Sequence, residues 1–275
     1  IVTTKYTVSV SGQIRDFGFD EWETIKSSTT SGSTEQYDVP KGLYGTSNPG
    51  IMTINEMFGS NLPELFSYTV SPVEGQSGKA AKLQTVYTYM FLDGMDFNAL
   101  LEGLVPYVTA GSLFTGIFKT DMNNTLNSTK FGVPFVGEPA TFTGYYKYTP
   151  GTTYYNYKNE VVADKTDECS IYAVLYEELL DEENNNIPLN GDYNDPDLYI
   201  GSSKRIVMKA VLEDGTAKSD WTKFSIPFKL LEGKSYDATK KYYLAIVCSS
   251  SAEGDYFMGA PGSTLFIDSF TVTPQ

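Results

Sequence analysis

The sequence predicts an all-β protein: a jelly-roll β-sandwich of two antiparallel sheets with one or two short helices. Short apolar runs recur from residue 110 to the end of the chain, and turn-forming residues separate them. Helix signals are confined to two brief segments. A hydrophobic content of 41% and an aromatic content of 14% are enough to fill a core. Many strands with few helices favour two sheets packed face to face.

The first residues differ in pattern from the rest. Residues 1–10 (IVTTKYTVSV) alternate apolar and polar side chains, which is typical of a strand. We interpret residues 1–14 as a lead-in strand or the remnant of a preceding module, and residues 15–275 as one jelly-roll domain. The chain starts at Ile1 without a Met, so we expect that any export signal or lipid anchor lies outside it.

The two helix candidates precede the strand-rich part. Residues 55–66 allow one or two helical turns, which Gly59 and a proline keep short. Residues 96–104 are the better candidate, because Asp96 can cap the helix and Gly103 can end it. Between them, residues 77–86 begin as a turn and become a strand.

A tyrosine-rich stretch, residues 142–157 (FTGYYKYTPGTTYYNY), stands out among the later strands. Alternation along a strand places Phe142, Tyr146 and Tyr148 on one side, and Tyr145 and Lys147 on the other. A core-facing Phe142 would turn Tyr145 and Lys147 outward.

Alternation divides two further strands. In residues 221–228, Trp221 lies on the side opposite Phe224 and Phe228, which should face the core. In residues 171–176 both sides are apolar, and one of them carries Tyr172 and Tyr176. That strand is either covered on both faces or presents tyrosines outward.

The charge and the absence of histidine exclude several function classes. A net charge of −14 argues against nucleic-acid binding and against an anionic membrane surface. No apolar run is long enough for a transmembrane helix. With no histidine, catalytic triads, imidazole zinc sites and histidine general bases are excluded. Any chemistry must use Asp, Glu, Lys, Tyr or Arg.

The two cysteines, Cys169 and Cys248, allow at most one disulfide. Both lie in apolar, strand-like runs. We therefore favour buried free thiols over a bridge.

Two acidic features deserve separate interpretation. Asp268 falls on the same side of its predicted strand as Phe266, Phe270 and Val272, and a carboxylate there is costly unless it is hydrogen-bonded or metal-bound.

Residues 177–197 contain many acids and no base, and we interpret them as an exposed, solvated acidic connection. Calcium binding is the alternative, although the spacing does not match an EF-hand loop.

Several segments taken together resemble a known family. SGKAAKLQT (77–85), AGSLFTGIFK (110–119), GVPFVGEPATFTGYYKYTPG (132–151), IYAVLYE (171–177), the aromatic run at 221–228 and SSSAEGDYFMGAPGSTLFIDSFTV (249–272) follow in this order. They resemble the putative carbohydrate metabolism domain of exported Bacteroidetes proteins, also labelled putative glycoside hydrolase. The resemblance implies a C-terminal jelly roll, usually preceded by an immunoglobulin-like module. It transfers no catalytic residue.

A looser resemblance is to jelly-roll carbohydrate-binding modules, in which a late-strand Asp helps to hold a structural calcium with an acid from an early strand. The matching positions here are Asp268 with Asp16 or Asp20. Ser269 departs from the usual pair of acids. The resemblance implies a possible structural calcium, and we expect that no cofactor is required.

Glycan binding is the first functional hypothesis. Sugars offer apolar C–H faces and hydroxyl groups, which suit partly exposed aromatic rings and polar side chains. Ordinary sheet packing is the competing explanation for each aromatic residue. The candidate binding residues are Tyr145, Lys147, Tyr154, Tyr155, Tyr172, Tyr176 and Trp221.

Two alternatives remain open at this point. A glycoside hydrolase needs two carboxylates across a cleft, and the best-placed candidates are Glu138 and Asp255. A cell-surface structural or adhesion protein could use edge strands and tyrosine-rich faces for protein contacts.

We therefore expect an exported, non-catalytic protein that binds a polysaccharide or oligosaccharide in polysaccharide utilisation. Its expected location is the cell envelope, either periplasmic or at the cell surface. Other envelope proteins of a glycan-uptake system are the expected protein partners.

Overall fold

The computed structural model describes residues 15–28, 34–62, 64–101 and 104–275, so the predicted lead-in over 1–14 lies outside it. This part of the chain forms α1 (Asn48–Phe58), α2 (Phe97–Leu100) and twenty strands. The strands are β1 Arg15–Phe17, β2 Trp22–Lys26, β3 Gln36–Pro40, β4 Tyr44–Thr46, β5 Val70–Glu74, β6 Lys79–Gln84, β7 Val86–Tyr87, β8 Phe91–Leu92, β9 Met95–Asp96, β10 Val108–Thr109, β11 Ser112–Phe118, β12 Thr129–Phe131, β13 Val133–Phe135, β14 Pro139–Thr149, β15 Ser170–Glu177, β16 Ile206–Val211, β17 Lys218–Pro227, β18 Lys229–Leu230, β19 Tyr242–Ser249 and β20 Thr264–Pro274.

Two antiparallel sheets form the sandwich. The six-stranded sheet has the order β17-β14-β20-β6-β5, with β1 also paired to β20. The eight-stranded sheet has the order β12-β11-β19-β15-β16-β18, with β13 on β19 and β4 on β11. The remaining described strands form the two-stranded ribbons β2-β3, β7-β10 and β8-β9. The predicted all-β sandwich is confirmed.

Aromatic packing fixes the core between the sheets. Phe142, Phe224 and Phe270 meet edge to face, with ring centroids 5.0 to 5.5 Å apart. Gly144 is needed beside them, because a Cβ there would lie 2.3 Å from the Phe270 ring. Tyr146 is buried in the same cluster, as alternation along β14 predicted.

Both cysteines belong to this core. Cys169 and Cys248 are buried free thiols among apolar neighbours, as predicted. Burial raises the pKa of both thiols, Cys169 to about 12, so they remain protonated at neutral pH.

The alternation predicted for β20 is wrong at Phe266. Leu265 and Ile267 face the core instead, and Phe266 is only partly buried. The reason is a bulge: Ser269 has a left-handed φ of 53°, which shifts the register so that Phe270 returns to the core. Strict period-two reasoning cannot anticipate such an insertion.

The outer face of the eight-stranded sheet is covered as well. A second cluster joins Val174 and Tyr176 of β15 to Leu189 and Ile200, which come from the segment after β15. The prediction that residues 177–197 form a simple exposed connection is therefore wrong in part. Leu189 covers the sheet, and Asp192 is buried and accepts a hydrogen bond from Asn124 Nδ2 at 2.6 Å, whereas Leu179 and Leu180 are exposed.

The helices differ from prediction in their bounds. α1 begins at Asn48, well before the predicted residue 55, with Pro49 in its first turn, and a 3-10 turn extends it to Asn61. α2 is a single turn, and the Asp96 side chain caps it by accepting a hydrogen bond from Ala99 N, as predicted. Neither described helix has the length or apolar character to cross a membrane.

Candidate functional site

A row of aromatic side chains on residues 87–91 forms the first candidate site. Tyr87, Tyr89 and Phe91 alternate with the buried side chains of Thr88 and Met90, as in an extended segment with one covered face. The ring centroids of Tyr87 and Tyr89 lie 5.5 Å apart, and those of Tyr89 and Phe91 lie 6.2 Å apart. The Tyr87 and Tyr89 rings are tilted by 37° to each other and the Tyr89 and Phe91 rings by 30°, at spacings within the range of interacting aromatic pairs.

Two rings from other segments extend this surface. Pairing of β7 with β10 brings the Tyr107 ring to 5.8 Å from Tyr89. Tyr155 stacks on Tyr87 at 5.2 Å, with 28° between the ring planes. Its backbone is held by two hydrogen bonds with Gly259. We call Tyr87, Tyr89, Phe91, Tyr107 and Tyr155 the aromatic row.

A buried asparagine positions the row. Asn98 Oδ1 accepts a hydrogen bond from Met90 N at 2.6 Å. Its Nδ2 donates to the carbonyl oxygens of Thr88, Val105 and Pro106 at 2.9 to 3.3 Å. Because a buried amide requires such partners, Asn98 fixes the spacing of the two chain segments that carry most of the row.

The aromatic row borders an open cleft of about 520 Å³, which we call the aromatic cleft. Tyr87, Tyr89 and Phe91 line one part of it, and the remaining lining includes polar side chains. Glu64, Ser67 and Gln84 supply hydrogen-bonding groups there. Flat apolar rings beside polar groups suit a ligand that has apolar faces and many hydroxyls.

The hydroxyls of two row tyrosines have protein partners. Tyr87 donates to Asn159 Oδ1 at 2.6 Å, and Tyr107 donates to Asp96 Oδ2 at 2.9 Å. Burial raises the pKa of Tyr87. Burial, helped by the Asp96 acceptor, raises the pKa of Tyr107 to about 12. Both phenols therefore stay neutral at physiological pH, and their rings are held in fixed orientations.

The second candidate site is a cavity of about 260 Å³ on the outer face of the eight-stranded sheet, which we call the apolar cavity. Phe114 of β11, Tyr172 of β15 and Val247 of β19 form its floor, and α1 forms one wall. Further apolar lining comes from Ile54, Met57, Phe58, Phe118 and Phe257.

One carboxylate lies in the wall of the apolar cavity. Asp255 is the only acid among the described lining residues, and the Tyr199 hydroxyl donates to its Oδ2. Burial raises the pKa of the Asp255 carboxyl. Burial and the Asp255 acceptor also raise the pKa of Tyr199. The pair forms an acidic corner in a largely apolar cavity, whose other polar lining groups include Ser and Thr hydroxyls.

Three of the predicted binding residues meet elsewhere. Tyr145, Lys147 and Trp221 lie on the outer face of the six-stranded sheet, as predicted. Lys147 Nζ lies 5.0 Å from the Trp221 ring centroid and 4.9 Å from that of Phe266. This cation–π contact already occupies part of both ring faces.

The other four predicted binding residues are dispersed. Tyr155 belongs to the aromatic row and Tyr172 to the apolar cavity. Tyr154 is buried, donates to Glu253 and has Lys165 Nζ 4.3 Å from its ring centroid. Tyr176 is fully buried, and its hydroxyl donates to a backbone carbonyl. Burial keeps both of these last rings from meeting a ligand.

The predicted metal acids hold a turn in place. Asp268 is buried, and its Oδ2 accepts hydrogen bonds from Gln76 N at 2.7 Å and Ser77 N at 3.1 Å. Asp20 Oδ1 accepts from Lys79 N in the same turn at 3.0 Å. Asp16 lies on the edge strand β1. Among the described residues, no three His, Cys, Asp or Glu side chains are arranged to hold a metal ion.

The predicted catalytic candidates do not share a site. Asp255 lines the apolar cavity. Glu138 lies in the connection before β14, where its carbonyl accepts a hydrogen bond from Gln275 N, and it lines neither candidate site. The structure thus leaves these two carboxylates without a shared cleft.

Sequence reasoning missed most of the aromatic row. The predicted strand at residues 77–86 stopped one residue short of it. The signal was present in VYTYMF (86–91), where an aromatic residue occupies every second position. Tyr107 carries no such signal, because only the pairing of β7 with β10 brings it to the row.

The profile of one family, described as "Putative carbohydrate metabolism domain", matches residues 18–273. No curated protein matches the chain.

Two solved structures are similar over nearly the whole chain. One, described as a putative glycoside hydrolase from Bacteroides thetaiotaomicron VPI-5482, has 28% identity and a TM-score of 0.72, and the match covers 98% of this chain and 72% of that one. Another, described as a putative glycoside hydrolase from Bacteroides vulgatus ATCC 8482, has 26% identity and a TM-score of 0.68, and covers 94% and 98%. These similarities support a carbohydrate-related function.

Proposed function

Because the chain belongs to the Putative carbohydrate metabolism domain family, we propose that it binds a glycan chain along the aromatic cleft without cleaving it. The observation that carries this proposal is the aromatic row itself. Five rings from three segments are only partly buried, although each could have been packed in the core at a gain of free energy.

The geometry of the row suits a chain ligand. Successive rings from Tyr155 through Tyr87 and Tyr89 to Phe91 are spaced by 5.2, 5.5 and 6.2 Å. Successive sugar units could therefore contact successive rings. The cleft beside the row can hydrogen-bond to their hydroxyls through Glu64, Ser67 and Gln84.

Binding without hydrolysis is favoured by the placement of acids. Glycoside hydrolysis requires two carboxylates about 5–10 Å apart across the scissile bond. Glu64 is the only acid among the described residues that line the aromatic cleft. A single acid can accept hydrogen bonds from a sugar, but it cannot act as both members of a catalytic pair.

Affinity electrophoresis through gels that contain single polysaccharides tests this proposal. We expect at least one polysaccharide to retard the protein, and Tyr89→Ala to weaken that binding tenfold or more, since Tyr89 contacts three other rings of the row. Tyr256→Ala is the matched control, because Tyr256 is also exposed and stacked, on Tyr193 at 5.1 Å, outside the row. Equal retardation of Tyr89→Ala and the unsubstituted protein would refute the proposed site.

Hydrolysis is the second candidate function because burial raises the pKa of Asp255, as a general acid requires. Asp255 has no acidic counterpart among the described residues of the apolar cavity. Release of reducing ends from the retarding polysaccharide, lost in Asp255→Asn, would favour hydrolysis over binding alone. We expect no release.

A further inference from the structure

We propose that the apolar cavity binds a neutral, largely apolar small molecule of about bicyclic size. This site is distinct from the aromatic cleft and does not depend on the glycan-binding proposal. It is formed between α1, the segment before β12 and the outer face of β11, β15 and β19.

The size of the cavity sets the size of the ligand. An apolar protein cavity of about 150 Å³ stays dry and binds benzene. The apolar cavity measures about 260 Å³, which leaves room for a second fused ring. A longer molecule would have to extend out of the enclosure.

The lining sets the polarity of the ligand. Phe114, Phe118 and Val247 present carbon atoms. Ser and Thr hydroxyls also line the cavity, and several of them, such as those of Ser47 and Ser249, already bond to protein groups, so water inside would find few free hydrogen-bond partners. A sugar ring would leave most of its hydroxyls unpaired at the same surface. Displacement of poorly bonded water by an apolar molecule is favourable. The apolar cavity and the aromatic cleft are therefore expected to bind different classes of ligand.

Two polar features indicate where a single polar group of the ligand would lie. Thr129 lines the cavity, and its hydroxyl is the one buried side-chain polar atom without a hydrogen-bond partner among the described residues. Asp255 and Tyr199 form the other polar corner. A hydroxyl group on the ligand could bond at either position.

Charge excludes anions from the cavity. Asp255 is the only ionisable acid or base among the described lining residues apart from the tyrosine phenols, and the whole chain carries a net charge of −14. An anionic ligand would lose its hydration and gain no cationic partner. We therefore expect 2-naphthol to bind, and 2-naphthoate, of similar size, to bind at least tenfold more weakly.

Methionine methyl groups provide a direct readout. The chain has seven methionines, of which Met57 and Met122 line the apolar cavity. Met95 lies beside the aromatic row, because β9 pairs with β8. In protein labelled at the methionine methyls, we expect 2-naphthol to shift the Met57 and Met122 signals and to leave the Met95 signal in place. Signals are assigned by single Met→Leu variants.

A cavity-filling variant provides the second arm. Gly50 lines the cavity from α1, and a Cβ there would meet only the Phe118 ring, at 3.8 Å. Gly50→Leu should therefore fold and weaken 2-naphthol binding at least tenfold by calorimetry. Ile117→Ala is the control, since Ile117 is an exposed apolar residue on β11 outside the cavity.

The outcomes separate the alternatives. Shifts at Met57 and Met122 that disappear in Gly50→Leu support the proposal. Shifts centred on Met95 would place 2-naphthol on the aromatic row and overturn it. Absence of any shift at the solubility limit of 2-naphthol, or equal binding by Gly50→Leu, would overturn it as well. The methyl spectrum of the unsubstituted protein decides the question even if the variant unfolds.

Discussion

The aromatic row and the apolar cavity are both rich in aromatic side chains, but they use them in opposite ways. In the row, rings stay partly exposed and two hydroxyls are fixed by Asn159 and Asp96. In the cavity, Phe114 and its neighbours lie on the outer face of the eight-stranded sheet and are buried under the segments that cover that face. Aromatic content alone therefore does not identify a sugar site. Exposure and the supply of polar partners distinguish the two.

The largest expected effect tests whether the cavity rings are structural and the row rings are not. Phe114 is fully buried and packs edge to face on Phe131 at 4.8 Å, so Phe114→Ala should lower the free energy of unfolding by about 3–5 kcal/mol. Phe91 is 58% exposed, so Phe91→Ala should cost less than about 1 kcal/mol. Denaturant unfolding measures both. Similar losses would mean that the row also supports the fold.

The second prediction concerns two buried asparagines, Asn48 and Asn98, that hold chain segments bordering the two regions. Asn98 ties together the segments that carry the row. Asn48, the first residue of α1, accepts from Thr69 N and Val70 N and donates to the Val70 carbonyl at 2.7 to 3.0 Å. Each Asn→Ala change leaves buried backbone groups unpaired and should cost about 2–3 kcal/mol of unfolding free energy.

The functional effects of these two changes should separate. Asn48→Ala should weaken 2-naphthol binding more than glycan binding, because α1 is a wall of the apolar cavity. Asn98→Ala should weaken binding of both ligands, because Asn98 also holds the carbonyls of Val105 and Pro106, which line that cavity. Calorimetric titration of each variant with both ligands measures the separation. Equal losses of both ligands in Asn48→Ala would show that the two regions are coupled.

Much of the sandwich was predictable because its strands obey simple alternation. Phe142, Tyr146 and Tyr148 face the core in the order that period two requires. The same rule failed at Phe266, since the bulge at Ser269 adds a residue that leaves no sequence signal of its own. Asp268 is buried, but it lies on the Phe266 side of β20 and not in the core-facing row where alternation placed it, and its partners are backbone N–H groups of a distant turn.

The candidate sites were less predictable because they depend on what covers each sheet face. Tyr176 and Tyr154 look like Tyr87 and Tyr89 in the sequence, but packing buries the first pair and leaves the second pair partly exposed. Segments far apart along the chain decide that outcome. The alternation of Tyr87, Tyr89 and Phe91 was visible, whereas the approach of Tyr107 and Tyr155 required the tertiary structure.

A smaller effect is expected from the least invasive change at the cavity wall. Gly50→Ala should raise the free energy of unfolding by about 0.5–1 kcal/mol, because Gly50 is helical and alanine restricts the unfolded chain. A single methyl removes little of the 260 Å³ volume, so 2-naphthol affinity should change less than twofold. Thermal unfolding measures the change in stability, and calorimetry measures the change in 2-naphthol affinity. A loss of stability would mean that the wall is already tightly packed.

The smallest expected effect is no change in glycan affinity as the pH rises from 7 to 9. An ordinary tyrosine is half ionised near pH 10, but Tyr107, with a pKa raised to about 12, stays neutral there, and burial raises the pKa of Tyr87 as well. Because the folded pKa of each lies above the unfolded value, their neutral forms stabilise the fold fully below about pH 10, and that contribution is lost as the pH rises through the folded pKa.

Binding of 2-naphthol should fall as the pH rises from 7 to 10, since its own hydroxyl ionises near that of tyrosine and the cavity excludes anions. Affinities of both ligands at pH 7, 9 and 10 measure the contrast, and a tenfold loss of glycan affinity by pH 9 would contradict the placement of Tyr87 and Tyr107 as neutral contacts.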